Sequence, residues 1–212
     1  MFAPNKMQPF SLQERAEFYN SVFQHLDSPN TPLTVHQRNN RPFLHGFWFV
    51  GGGNISSFYG SYQEQYLKRI STLFPDCRGR HSCVHLFSGS MPPSDDYLRV
   101  GKDPTGQYKS DFEVDAHSLS SFIEFNPSLI YADPPYSRED SEHYENSMVD
   151  RARIVKECAL VLKPGGYLVW MDQALPIFSN DILQLVGGIS YVRSTGNRFR
   201  LISIFRKHAR SK

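Results

Sequence analysis

A chain of 212 residues that is 40% hydrophobic, with a formal net charge of +2, is long enough to bury a substantial core and reads as a globular protein. No apolar run approaches the ~18 residues a bilayer span needs, and Met1 to Phe10 lacks the charged-then-apolar build of a signal peptide, so a cytoplasmic protein is expected. Cys77, Cys83 and Cys158 are too few and too scattered for a disulfide framework or a zinc centre, and no metal is expected.

Ser11-Leu12-Gln13-Glu14 is a capping box, and the apolar spacing behind it predicts a helix over 11–26. Asp27 to Pro42 is rich in Pro, Asn, Ser and Thr, which predicts a linker between an N-terminal helical extension, residues 1–45, and a main domain, residues 46–212. Phe47-Trp48-Phe49-Val50 then runs into a glycine loop, Gly51-Gly52-Gly53. Tyr62, Tyr66, Leu67, Ile70, Leu73 and Phe74 form a helical stripe closed by Pro75.

Val84-His85-Leu86 predicts a buried strand running into the small-residue loop Phe87-Ser88-Gly89-Ser90. Tyr97 to Val100 predicts a second strand reaching Asp103, and Phe112 to Ala116 a third that ends at Asp115. The next strand, Leu129-Ile130-Tyr131-Ala132, stops abruptly at Asp133-Pro134-Pro135-Tyr136. Neither proline can donate a ladder hydrogen bond, so a carboxylate and an aromatic ring are presented on a stiff turn beyond the sheet edge.

Ser137 to Ser147 is a polar, charged stretch, either a loop at the mouth of a site or a solvated run. Met148 to Leu162 has helical apolar spacing and ends at Lys163-Pro164-Gly165-Gly166, ahead of the strand Tyr167 to Trp170. Asp181 to Leu185 is read as a further helix. Ile189 to Val192 and Leu201 to Phe205, around Ser194-Thr-Gly-Asn197, form a hairpin signal.

The order of these segments resembles the amino-methyltransferases, enzymes that use S-adenosyl-L-methionine to methylate exocyclic amines of nucleobases. The resemblance rests on Asp133-Pro134-Pro135-Tyr136, on Phe87 and Gly89 of an Asp-x-Phe-x-Gly-x-Gly-like loop, and on the helix-turn-strand passage from Leu162 to Trp170. It implies a doubly wound, mostly parallel, seven-stranded α/β sheet with a C-terminal antiparallel hairpin, the Rossmann-like class I methyltransferase fold. It further implies S-adenosyl-L-methionine as cofactor, held by Phe87, Ser88 and Gly89, with Asp103 on the ribose, Asp115 and Ala116 at the adenine, and Phe49 and Gly51 at the methionine end. Asp133, Pro134, Pro135 and Tyr136 would hold the target base. His85 and Met91 stand where the motif has an acid and a glycine, which motivates an inactive, nucleic-acid-binding alternative.

Carbon-5 methylation needs a cysteine nucleophile in a Pro-Cys turn, and zinc deamination needs His-x-Glu with Cys-x-x-Cys; the chain has no Pro-Cys and no Cys-x-x-Cys. Nitrogen methylation remains, with adenine N6 in DNA favoured over cytosine N4 or an RNA guanine. Two basic clusters, His36, Arg38, Arg41 and His45, and Arg193 through Lys212, are candidate phosphate contacts. The chain leaves no room for a large recognition domain, so relaxed specificity or a partner subunit is expected.

Overall fold

Ser11 caps helix α1 (Leu12–Val22): its hydroxyl accepts the Glu14 N–H, and the Glu14 carboxylate accepts the Ser11 N–H at 2.7 Å. This reciprocal cap appears in the computed structural model, which describes residues 10–55, 62–103, 106–136, 149–194 and 198–209. Leu12, Ala16, Tyr19 and Phe23 then bury one face of α1 in the same core as Tyr66, Ile70 and Leu73 of α2 (Glu64–Leu73).

The stretch expected as a linker is partly sheet. Strand β1 (Thr34–Arg38) pairs antiparallel with β2 (Arg41–Val50) around Asn39 and Asn40, which take φ of 51° and 58°. Two left-handed residues at the centre of a two-residue turn match the twist of a hairpin, and asparagine tolerates that conformation better than most residues. β2 then pairs in parallel with β7 (Leu183–Arg193), so the domain boundary expected at 45/46 falls inside a strand of the main sheet.

The remaining strands are β3 (Cys83–Leu86), β4 (Leu98–Val100), β5 (Leu129–Ala132), β6 (Tyr167–Asp172) and β8 (Phe199–Lys207). The order is β1-β2-β7-β8-β6-β5-β3-β4, with β3 to β6 mutually parallel and β8 antiparallel to both its neighbours. The expected fold class holds, with eight strands rather than seven: the β1–β2 hairpin adds two beyond β7, and the strand expected over Phe112 to Ala116 does not form. Alternate residues divide between two cores. Tyr131, Val169 and Ile202 face α1 and α2, whereas Ile130, Leu168 and Phe205 face α3 (Arg151–Val161) and the short 3-10 helix η1 (Ala116–Ser121).

Two expectations fail. The third strand is a single parallel bridge between Phe112 and Val100, after which the Asp115 carboxylate accepts the His117 N–H and caps η1. A side-chain acceptor that satisfies its own backbone locally competes with a ladder, and here it prevails. Asp181 to Leu185 does not form a helix; β7 begins at Leu183 and carries a bulge between Leu185 and Gly187. The reason is non-local, since β8 needs a second antiparallel neighbour and five residues are too few to hold a helix against that pairing.

Arg15, only 1% exposed, lies 4.8 and 4.9 Å from the Phe74 and Tyr167 ring centres and donates to both Asp76 oxygens, at 2.6 and 2.8 Å. Burial opposes ionisation of Asp76, but the Arg15 guanidinium outweighs it and holds the carboxyl below its usual range. A depressed folded-state value makes this contribution complete above the unfolded value of about 3.9, and it is lost as pH falls through the folded one. Asp76→Asn should therefore cost about 3 kcal/mol at neutral pH in a denaturant titration, because it strands a buried cation. Stability of the variant should also be less sensitive to acid below about pH 4 than that of the parent.

Candidate active site at the carboxyl edge of the sheet

Register places the candidate residues. Leu86 pairs with Ala132 and with Val100, and Ala132 pairs with Trp170, so β3, β4, β5 and β6 end side by side. Phe87, Gly101, Asp133 and Asp172 therefore lie together at their carboxyl ends, the edge where open α/β sheets bind their ligands. Asp133 is one strand spacing, ~4.8 Å in the sheet direction, from the exit of β3.

The loop after β3 folds tightly onto β4. Phe87 and Gly89 take φ of 56° and 51°, and the buried Ser88 donates its N–H to the Val100 carbonyl at 3.2 Å. Gly101, at φ +127°, lies flush against it: an added Cβ would sit 3.5 Å from the Phe87 Cα. The contact itself would admit a Cβ; it is the positive φ that favours glycine here. The two departures from the motif both point into the core. His85 is buried among Tyr62, Tyr97 and Tyr131, with ring centres 6.0, 4.8 and 4.6 Å away, and burial drives its pKa down to about 3. Met91 is buried, and its carbonyl accepts from Arg99 at 2.9 Å.

At the corner itself, the prolines are buried while Asp133 and Tyr136 are partly buried. The Tyr136 hydroxyl donates to the Asp133 carboxylate, and the Arg200 guanidinium carbon lies 4.2 Å from the centre of the Tyr136 ring. Burial, followed by the charge of Asp133, pushes the phenols of Tyr62, Tyr66 and Tyr136 well above their usual range. Tyr191, also buried, is pushed up to about 12, with Asp133 again contributing, and donates to the Gln63 side-chain carbonyl. The Asp133 carboxylate at the end of β5 thus meets the Tyr136 phenol directly, and its charge reaches the buried phenols of Tyr62, Tyr66 and Tyr191.

The corner is held from behind by a pair that the sequence reading missed. Arg151, at the start of α3, donates to the Pro135 and Tyr136 carbonyls at 3.4 and 3.1 Å, and its Nε reaches Asp172 at 2.6 Å. Asp172 is 1% exposed and also accepts from Trp170 Nε1 and from the Gln173 N–H. Among the described residues none donates to the Pro134 carbonyl. Asp172 was legible in principle, as a carboxylate ending an apolar strand just as Asp133 does. Arg151 and the phenols of Tyr62, Tyr66 and Tyr191 carried no local signal of a site, and Arg200 was legible only as one member of the basic C-terminal cluster.

Other expected site residues differ in their placement. Asp103 braces a turn past β4, accepting the Tyr108 N–H at 2.7 Å. Asp115 bonds His117 Nδ1 at 2.7 Å; since the other ring nitrogen accepts the Asp150 N–H at 3.0 Å, the proton is on Nδ1. This ties η1, which begins at Ala116, to the start of α3, one residue from the Arg151 that holds the corner. Phe49 and Gly51 lie at the end of β2, five strand spacings from β3, or about 24 Å, and so do not join Phe87.

The C-terminal basic cluster divides. Lys207 caps α3 by donating to the Leu160 and Leu162 carbonyls, and Arg206 bonds the Gly165 carbonyl, whereas Arg193, Arg198 and Arg200 lie at the site edge. His36 and His45 stack at 4.5 Å on the β1–β2 hairpin, at the opposite flank of the sheet. A hollow of about 210 Å³, lined by Arg15, Asp76, Lys163 and Tyr167, opens at the other end of the strands and shares no residue with the corner. Ser137 to Ser147, Arg210 and Lys212 lie outside the described residues.

No protein-family profile matches the chain, and no curated protein matches it in sequence. Among solved structures it is similar to TrmN from Thermus thermophilus, at 17% identity and a TM-score of 0.45 over 68% of this chain. It is also similar to an rRNA methylase from Streptococcus thermophilus, at 8% identity and a TM-score of 0.40, over 63% of this chain and 90% of that one. The chain spans 47% of the length of TrmN. Overlap of this kind describes the course of part of a backbone, and function has to be argued from the site.

Proposed function

We propose that this protein transfers a methyl group from S-adenosyl-L-methionine to an exocyclic amine of a nucleobase, adenine N6 in DNA ahead of cytosine N4 or an RNA guanine. The observation that carries the reading is the corner Asp133 to Tyr136, which offers a carboxylate and a proline carbonyl one strand away from the Phe87-Ser88-Gly89 loop. An exocyclic amine is a poor nucleophile because its lone pair is delocalised into the ring. Two acceptors, the Asp133 carboxylate and the Pro134 carbonyl, each taking one N–H, draw the nitrogen towards tetrahedral geometry and turn its lone pair outward. Tyr136 supplies a face for the extruded base.

The small-residue loop, with its left-handed Phe87 and Gly89 and the flush Gly101, suits close backbone approach by the methyl donor, which would supply the electrophilic carbon. Phe87, Ser88 and Gly89 would hold it, with Asp103 beyond β4. No residue forms a covalent adduct. The amine's surplus proton passes to Asp133, already its hydrogen-bond acceptor.

A second reading, a nucleic-acid-binding subunit without activity, is favoured by one observation: His85 and Met91 are both buried and offer nothing to a donor. Calorimetric titration with S-adenosyl-L-methionine, then tritium transfer to unmethylated DNA, adenine-free DNA and RNA, separates the two. Donor binding with label only in adenine-containing DNA is expected. Absence of donor binding at millimolar concentration would leave the inactive subunit, and label in RNA alone would move the substrate.

A further inference from the structure

Three guanidiniums share one face of the β7–β8 hairpin. Arg193 closes β7 and donates its N–H to the Arg198 carbonyl at 3.3 Å, and Arg200 comes two residues later in β8. Side chains two apart on a strand project to the same side. Ile202 and Tyr191, next in the two series, pack in the core on the α1–α2 side, which fixes the side for all three arginines. Arg198 is exposed, Arg193 donates to the Asn54 side chain at 3.0 Å, and the chain beyond Arg193 contains no acidic residue.

Arg200 is placed differently from the other two. It covers the face of Tyr136, 4.2 Å from the ring centre, where the proposed reaction would put the target base. A guanidinium and a nucleobase are alternative partners for one aromatic face, because both are flat and both stack on it. Both cannot occupy it.

We infer that Arg200 is a placeholder on Tyr136 which the target nucleobase displaces, and that the released guanidinium then joins Arg193 and Arg198 on the backbone phosphates of the same strand. The inference rests on the proposed role of Tyr136 and gives the substrate a stated form, an unstacked base on a phosphate-bearing strand. A bare nucleoside must evict the cation with no compensation. A strand gives the evicted cation a phosphate, so stacking and phosphate binding are coupled and the site favours polymer over nucleoside.

The test needs no methyl donor. Adenosine and deoxyadenosine, and short adenine-containing single-stranded DNA and RNA, are titrated into the protein, Arg200→Ala and Arg200→Lys, the oligonucleotides over a range of salt. Removing the placeholder should tighten nucleoside binding by about fivefold. The plot of log K against log salt for the oligonucleotide should become shallower by about 0.7, one phosphate contact on a single strand. Arg200→Lys, which keeps the charge and loses the flat stack, should show the nucleoside gain with the salt slope retained, and it serves if the alanine variant does not fold. Nucleoside affinity that is unchanged or lower in both variants, or a slope that does not move in Arg200→Ala, overturns the inference. A protein that passes these tests and transfers no methyl group fails the catalytic reading alone.

Discussion

Asp133→Ala is expected to reduce methyl transfer by about a thousandfold or more while changing donor affinity by less than about twofold. The carboxylate is one of two acceptors proposed to localise the amine's lone pair, and its effect is concentrated in the transition state, where the nitrogen gains positive charge. The donor would be held by the neighbouring loop, whose contacts to β4 do not pass through Asp133. Single-turnover tritium transfer gives the first quantity and calorimetry the second. Asp133→Asn keeps one oxygen acceptor and no charge, so it should fall between the parent and the alanine variant. Retained turnover in Asp133→Ala would sink the proposed role.

The second large effect concerns Arg151 and Asp172. Arg151→Ala removes two hydrogen bonds, both from Nη2, to the corner carbonyls and strands a carboxylate that is 1% exposed. Loss of about 3 kcal/mol of stability is expected, read by denaturant titration. With the protein held in its folded range, the rate of transfer should fall by about a hundredfold, since a displacement near 1 Å at the corner is enough for that. Donor affinity should not fall with it. Lysine at 151 should restore little, because a single ammonium cannot serve both the carboxylate and the carbonyls in the planar arrangement a guanidinium offers. Full rescue by Arg151→Lys would show that charge alone matters there.

Both effects depend on residues far apart in the chain, and this marks how much could be read in advance. The corner was legible because Asp133-Pro134-Pro135-Tyr136 carries its conformation in its own covalent structure: two fixed φ angles and two missing donors end a strand wherever it lies. The capping box at Ser11 and the helix stop at Lys163-Pro164-Gly165-Gly166 were legible for the same reason. Phe112 to Ala116 misled because its apolar alternation is weaker than the local bond from Asp115 to His117. Asp181 to Leu185 misled because its pairing partner, β8, lies some twenty residues away. The N-terminal segment was read as an extension because the Asn39-Asn40 hairpin turn looked like loop composition, although that pair is itself a turn signal.

Sequence alone, then, determined the chemistry on offer: an acid, a proline-locked carbonyl and an aromatic ring at a strand end, with a small-residue loop earlier in the chain. Tertiary structure decided what surrounds that chemistry. It set β3 beside β5, drew Arg151 and Asp172 in behind the corner, turned His85 and Met91 into the core, sent Phe49 and Gly51 to the far flank, and laid Arg200 across Tyr136. The division has a physical cause. Backbone constraints act within a few residues and are written in consecutive letters, whereas strand order and burial are settled by packing between segments distant in the chain, and no short stretch of sequence records its eventual neighbours.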